Sequence, residues 1–374
     1  MQVIVVGAGI FGVTTALELR ARGHEVRLLD HGPLPHPLAE STDISKVVRM
    51  DYGSDGDYTA LGEQAIAGWR RWNARWPRPL FHETGVTFLA RAPMTPGGFE
   101  HDSFHTLVGR GHPLVRLDAA AIAARFPAYR PGVHVDGYFN PVGGWAESGA
   151  VVAQLLAEAQ DAGVHLEPDA AVTDVAQLDA ELVIVCAGAW VGTLLPALAP
   201  SLHPVGQPVF HLRPADPAPF AAARFPVFGA DISRTGYYGF PVDRDGIVKV
   251  ANHGAGVPIA DDRERVVHPA HEAQLRAFLQ DAFPLLAEAP IVGRRLCVYS
   301  DTLDGHFWIA RHPARDNLVV ATGGSGHAFK FAPVLGPLIA DIALGVAHPL
   351  ASKFRWRPEL ATPSRGDAAR HGGS

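Results

Sequence analysis

Cysteine is nearly missing from this chain of 374 residues: Cys186 and Cys297 are too few and too far apart for a disulfide scaffold or a cysteine-based zinc cluster. Positive charge is not in surplus either. The chain has 32 Lys and Arg against 38 Asp and Glu, a net charge of -6, so it lacks the basic face that a phosphate backbone requires, and no nucleic-acid partner is expected. No apolar run approaches the ~20 residues of a membrane span. A strand-like apolar run begins at Val3, so no signal peptide is expected and the chain reads as soluble and cytoplasmic. There is no internal repeat. Histidine is plentiful, at 19 residues, but without ligand-like spacing. His271-Glu272-Ala273-Gln274-Leu275 begins like a zinc-protease helix, yet Leu275 stands where the second histidine is needed, so no metal is expected.

What the chain has is a hydrophobic content of 47%, enough for a large core, and a length that suits two domains. Its most informative stretch is Val3-Ile4-Val5-Val6-Gly7-Ala8-Gly9-Ile10-Phe11-Gly12. The apolar run reads as a buried parallel strand, and Thr14 to Arg22 as the helix behind it. Gly7 allows the tight turn, Gly9 a close approach to a pyrophosphate beside Ile10 and Phe11, and Gly12 close helix–strand packing. A second strand, Glu25 to Leu29, ends in Asp30, about twenty residues on, where an acid that holds a ribose hydroxyl is expected. The turn binds a dinucleotide on this reading, and by itself leaves NAD and FAD both open.

The pattern returns twice. A helix-like stretch, Gly149 to Ala162, precedes the strand Leu182 to Cys186 and the small-residue turn at Gly188. Later, Asn317 to Thr322 leads into Gly323-Gly324-Ser325-Gly326-His327 and a helix from Val334 to Leu344. Such turns let backbone N–H groups meet polar cofactor atoms; either alone also reads as plain punctuation. Between them, Gly85 to Leu89, Gly137 to Asn140, Val205 to Leu212 and Gly236 to Val250 read as strands of a mainly antiparallel second sheet. The expected fold is α/β (α+β), a Rossmann-type FAD-binding domain with a mainly antiparallel β substrate domain, discontinuous in sequence. The expected segments are 1–80, 145–202 and 295–362 for the first domain, 81–144 and 203–294 for the second, and a loose tail at 363–374.

The stretch Cys297-Val298-Tyr299-Ser300-Asp301-Thr302-Leu303-Asp304-Gly305-His306-Phe307 is followed by Gly323-Gly324-Ser325-Gly326-His327-Ala328-Phe329-Lys330-Phe331. Together these blocks resemble the C-terminal signature of monomeric sarcosine oxidase and its relatives. Those relatives include N-methyltryptophan, pipecolate and fructosyl-amino-acid oxidases, FAD enzymes of the D-amino-acid-oxidase superfamily. The N-terminal turn, Ser41 to Gly53 and Tyr237 to His253 fall in the family's order with similar spacing, so the likeness covers most of the chain.

The resemblance implies FAD held by Gly7, Gly9, Ile10, Phe11, Gly12, Asp30, Ser45, Lys46, Gly188, Gly324, Gly326, His327 and Lys330. It implies a thioether from Cys297, in the family's Cys-x-Tyr run, to the flavin 8-methyl carbon; without that block Cys297 reads as a buried free thiol. Arg49 and Lys330 match the family's carboxylate clamp, arginine gripping with two parallel hydrogen bonds and lysine supplying a point charge. Lys249, in an apolar run, matches the lysine that activates oxygen by stabilising superoxide. His253 and Tyr238 match substrate-side residues. Sarcosine oxidase carries arginine where Lys46 stands, and Asp43-Ile44-Ser45-Lys46 is closer to the fructosyl branch, so Lys46 can share the oxygen role.

The implied activity is oxidation of a secondary amino acid at its C–N bond, with hydride transfer to flavin N5 and O2 reduced to hydrogen peroxide, by a monomer with no metal, membrane or nucleic-acid partner. The N-methyl, cyclic or fructosyl identity of the substrate stays open. A flavin dehydrogenase with another acceptor and a non-catalytic dinucleotide-binding protein are the alternatives.

Overall fold

A computed structural model describes residues 1–259 and 265–359; the tail expected from Pro363 lies outside them. The N-terminal apolar run forms the strand Gln2–Val6 inside a six-stranded sheet. It pairs in parallel with Glu25–Leu29 on one side and Leu182–Val185 on the other. His165–Glu167 and Arg315–Thr322 extend the sheet in parallel, and Trp308–His312 closes one edge antiparallel. Alternate side chains enter different cores: Val3 and Val5 join the larger one, Ile4 and Val6 a smaller one with Val183, Val185 and Val320. Burial on both faces is why these strands read as unbroken apolar runs.

Helices Ile10–Ala21, Gly56–Arg75, Ser148–Asp161 and Ala332–Ala343 contribute to the larger core. The first starts four residues before the expected Thr14, because Gly9, in extended conformation, is its N-cap. Gly12 sits where a Cβ would lie 1.8 Å from the Gly7 carbonyl oxygen, so only glycine fits. Gly336 does the same between two helices: a Cβ there would lie 2.4 Å from the Thr14 carbonyl oxygen.

The second sheet has nine strands and is antiparallel except where Val227–Ala230 runs parallel to Val86–Ala90. Two expectations are corrected. The run Gly236 to Val250 divides into Tyr237–Gly239 and Val248–Asn252, because the Asp243 carboxylate accepts hydrogen bonds from the Asp245 and Ile247 N–H groups and turns the chain. The strand Ile291–Thr302 pairs along its length with Leu202–Leu212, so residues 295–302, assigned above to the nucleotide-binding segments, stand in the larger sheet. The chain crosses to the smaller sheet only after Thr302, through the turn at Gly305 (φ 72°).

A small sheet of Lys46–Val48, Phe81–His82 and Gly144–Ala146 carries Lys46. No helix among the described residues is long and apolar enough to cross a membrane.

Gly336→Ala should destabilise the fold by about 1–3 kcal/mol through overpacking against Thr14, read as a lower urea midpoint with unchanged far-UV circular dichroism.

Candidate active site

Two cavities meet inside the chain. The larger, about 290 Å³, is lined by Gly7, Gly9, Ile10, Phe11, Asp30, Gly188, Gly324 and Gly326, with Lys46 among its walls. At its entry turn Asp30 accepts the Ala8 N–H at 2.8 Å, and Ser41 Oγ accepts the Ile10 N–H at 2.9 Å. His31 and His36 lie 4.4 Å apart, their rings tilted, with Trp190 4.8 Å from His31. The fold thus gathers Asp30, His31 and His36, whose ligand-type atoms lie within 4.8 Å of one another. Sequence spacing gave no sign of that grouping.

The smaller cavity, about 70 Å³, shares Lys46, Gly326 and Phe329 with the larger. Arg49, Tyr238, His253, His327 and Lys330 also line it. Tyr299 and the apolar residues Val47, Val86, Phe88, Val227, Phe228, Gly229 and Ile232 complete the lining. Arg49 is framed by aromatic rings, 4.8 Å from the centroid of Tyr52, 5.4 Å from Phe99 and 5.6 Å from Phe88. Its Nη1 is buried with no hydrogen-bond partner. A guanidinium nitrogen left so has strong affinity for an entering anion. Behind Arg49, Asp51 is fully buried and accepts the Tyr138 hydroxyl at 2.9 Å. Burial raises the Asp51 carboxyl above its usual range, against the opposing pull of Arg49. Lys330 Nζ donates to Tyr52 Oη at 3.0 Å and to the His327 carbonyl at 2.7 Å. Tyr52 Oη also lies 3.0 Å from His327 Nδ1.

Lys249 stands behind these walls. It is 1% exposed, and its Nζ donates to Asp43 Oδ2 at 2.5 Å and the Ser45 carbonyl at 2.6 Å. Burial lowers its pKa to about 8, Asp43 opposing that shift and Lys46 adding to it. Burial alone would raise Asp43, but Lys249 and then His211 and Lys46 hold its carboxyl well below the usual range. Lys46 Nζ lies 3.7 Å from Cys297 Sγ. Cys297 is 1% exposed and packs with Val209, Ala251 and Tyr299.

Of the expected site residues, Lys46, Arg49, Tyr238, His253, Gly326, His327 and Lys330 converge on the smaller cavity, and Gly7, Gly9, Ile10, Phe11, Asp30, Gly188 and Gly324 on the larger. Gly12, Ser45, Lys249 and Cys297 lie on neither wall. Sequence reasoning did not single out Tyr52, Phe88 or Asp51, and quoted Asp43 only within a motif. An acid three residues before Lys46 carries no periodic signal, because its partner lies 206 residues away.

The larger cavity fits FAD on this structure's own features. Its glycines Gly7, Gly9, Gly188, Gly324 and Gly326 admit close backbone approach, and it lies at the start of the helix Ile10–Ala21, where the positive end of the helix favours a pyrophosphate.

The family described as DAO, FAD dependent oxidoreductase, matches residues 2–342. Monomeric sarcosine oxidase of a Bacillus species (strain B-0618) is 29% identical over 361 residues, covering 92% of each chain. N-methyl-L-tryptophan oxidase of Salmonella newport is 29% identical over 368 residues, covering 92% of this chain and 95% of the relative. Among solved structures, fructosamine oxidase (Amadoriase II) of Aspergillus fumigatus aligns with a TM-score of 0.83 and 26% identity, covering all of this chain and 93% of that one. These likenesses bear out the expected fold class.

Removing either member of the Lys249–Asp43 pair leaves an uncompensated buried charge, so Lys249→Met and Asp43→Asn should each cost about 3–5 kcal/mol. The double variant should lose less than their sum, by chemical denaturation of all four proteins.

Proposed function

The chain belongs to the DAO family of FAD-dependent oxidoreductases, and from that premise we propose that it is an oxidase of small secondary amino acids, N-methyl or cyclic. The observation that carries this reading is the meeting of the two cavities at Lys46, Gly326 and Phe329. A ring system lodged in the larger lies against whatever the smaller holds.

Arg49 and Lys330 take the substrate's carboxylate, Arg49 through its unpartnered Nη1 and Lys330 as a charge steadied by Tyr52. Five of the lining residues, Val86, Phe88, Val227, Phe228 and Ile232, offer no hydrogen-bonding side chain. They suit a compact apolar substituent and leave sugar hydroxyls unpaired at a cost. A cavity of about 70 Å³ points the same way. His253 and Tyr238, which also line this cavity, are placed to favour the free amine over the ammonium that must lose a proton before oxidation.

When bound, FAD supplies the acceptor for the hydride from the carbon next to nitrogen and the route of both electrons to O2. The C–N bond becomes an imine, and water then releases an aldehyde and a primary amino acid, or opens a cyclic product. Lys46 and Lys249 supply the positive charge that favours electron transfer to oxygen. Lys46, 3.7 Å from the sulfur, is the positive neighbour that thiol addition to an electron-poor ring requires, and Cys297 anchors the flavin covalently.

Mixed anaerobically with N-methyl or cyclic amino acids, the yellow protein should bleach, and air should restore the colour with hydrogen peroxide formed. No bleaching with any amine overturns the oxidase reading; bleaching without recovery in air points to a dehydrogenase. Fructosyl amino acids should react at least about tenfold less efficiently. Arg49→Met should weaken substrate binding at least about tenfold. Reoxidation needs the Lys249 ammonium, so its rate should fall as pH rises through about 8, in stopped-flow traces at fixed oxygen. Cys297→Ser should release all its FAD on denaturation, while the unaltered protein keeps it.

A further inference from the structure

Lys249 and His211 are directly paired residues on neighbouring antiparallel strands, Val248–Asn252 and Leu202–Leu212. Paired residues on antiparallel strands project to the same face. On that face Asp43 bridges them: Oδ2 accepts Lys249 Nζ at 2.5 Å, and Oδ1 lies 3.2 Å from His211 Nε2. Asp43 is itself fixed by its backbone, whose carbonyl accepts the Gly149 N–H at 2.8 Å and the Ser148 hydroxyl at 2.9 Å. Exposure rises along this line, from 1% at the Lys249 side chain through 2% at Asp43 to 19% at His211.

The third strand of the group leaves room for the imidazole. His211 is paired there with Gly293, where a Cβ would lie 2.7 Å from His211 Nδ1. The flanking Arg294 is turned to Glu272, its Nη2 2.6 Å from Oε2. Lys46 and Cys297 are the further titratable groups whose charge acts on Lys249.

Reduction of O2 to hydrogen peroxide consumes two electrons and two protons. The electrons and one proton leave with the reduced flavin, and the second proton must come from water. Lys249 is too buried to take it up directly. We propose that Lys249, Asp43 and His211 form a proton path from solvent to the oxygen-reducing site, with Asp43 and His211 acting through Lys249 as positioning residues. The proposal rests on the oxidase reading and on the role given there to Lys249. The Lys249 ammonium gives its proton to the reduced oxygen. The proton on His211 Nε2 then passes to the Asp43 carboxylate at Oδ1, the carboxyl turns about its Cβ–Cγ bond and gives that same proton to the neutral Lys249 Nζ, and water returns a proton to the imidazole. Asp43, whose charge is stabilised by both neighbours, carries the proton only in transit.

Three measurements test it. His211→Asn keeps a hydrogen-bond donor toward Asp43 but cannot relay a proton. Stopped-flow reoxidation of its reduced flavin should slow at least about tenfold more than anaerobic reduction by the amine does, and added imidazole should restore part of the loss. Gly293→Ala, which displaces the imidazole without removing it, should lower reoxidation in the same direction and alter its solvent deuterium isotope effect. In flavin-free protein, nitrogen NMR should show the His211 Nε2–H hydrogen bond, and Asp43→Asn should abolish that signal. Equal reoxidation of the His211→Asn and unaltered proteins, with the same pH profile and isotope effect, overturns the path. If the unaltered protein itself fails to reoxidise in air, the oxidase reading falls first and the path with it.

Discussion

A protein interior tolerates a buried ammonium only where something answers its charge, since the desolvation it suffers is worth several kcal/mol. This chain gathers four cations, Lys46, Arg49, Lys249 and Lys330, around one junction of cavities, and each is answered differently. Lys249 has a carboxylate and a carbonyl. Lys330 has a phenol and a carbonyl. Arg49 has three aromatic faces and keeps one buried nitrogen without a partner. Lys46 has Cys297 and then Asp43 among its neighbours, which together raise its pKa against the effect of burial. On the proposed reading the site holds anions, and the unequal satisfaction of its cations says where an anion goes.

Close packing makes that junction possible. The smaller sheet delivers its glycine-rich turns to the larger cavity, and the larger sheet delivers Tyr238, His253 and Tyr299 to the smaller one. They can meet because side chains are absent at the crossings. A Cβ at Gly326 would lie 2.2 Å from the Tyr299 ring. The strand Ile291–Thr302 belongs to one sheet yet sends Val298 and Ser300 to the larger cavity and Tyr299 to the smaller, through the period-two alternation of any strand. Cys297 shares the face of Tyr299 and is buried beside it.

Much of this was legible in the sequence, for reasons that differ by residue. Gly7, Gly9 and Gly12 lie in a local strand–turn–helix where Gly7 and Gly12 leave no room for a Cβ, so six neighbouring letters carry the information. Arg49 and Lys330 were legible only through resemblance, because a lone cation in a sequence looks the same whether it faces a site or water. The Lys249–Asp43–His211 line was not legible. Its members are separated by 168 and 206 residues, and only strand register brings them together. The same holds for the placement of residues 295–302: an apolar β-rich run announces a strand, but not which sheet it joins.

Register also divides the work of the two lysines. Lys249 and Asp43 at 2.5 Å form a nearly neutral dipole, whose field falls faster with distance than that of a single charge. Lys46, on both cavity walls, acts as the nearer single charge. On the proposed reading, a bound carboxylate cancels much of the charge of Arg49 and Lys330, so substrate leaves Lys46 as the main positive charge toward a ring at the junction. When product leaves, the clamp's charge returns to the same ring. The electrostatic setting of each half-reaction thus follows from what occupies the smaller cavity, with no movement of the backbone required.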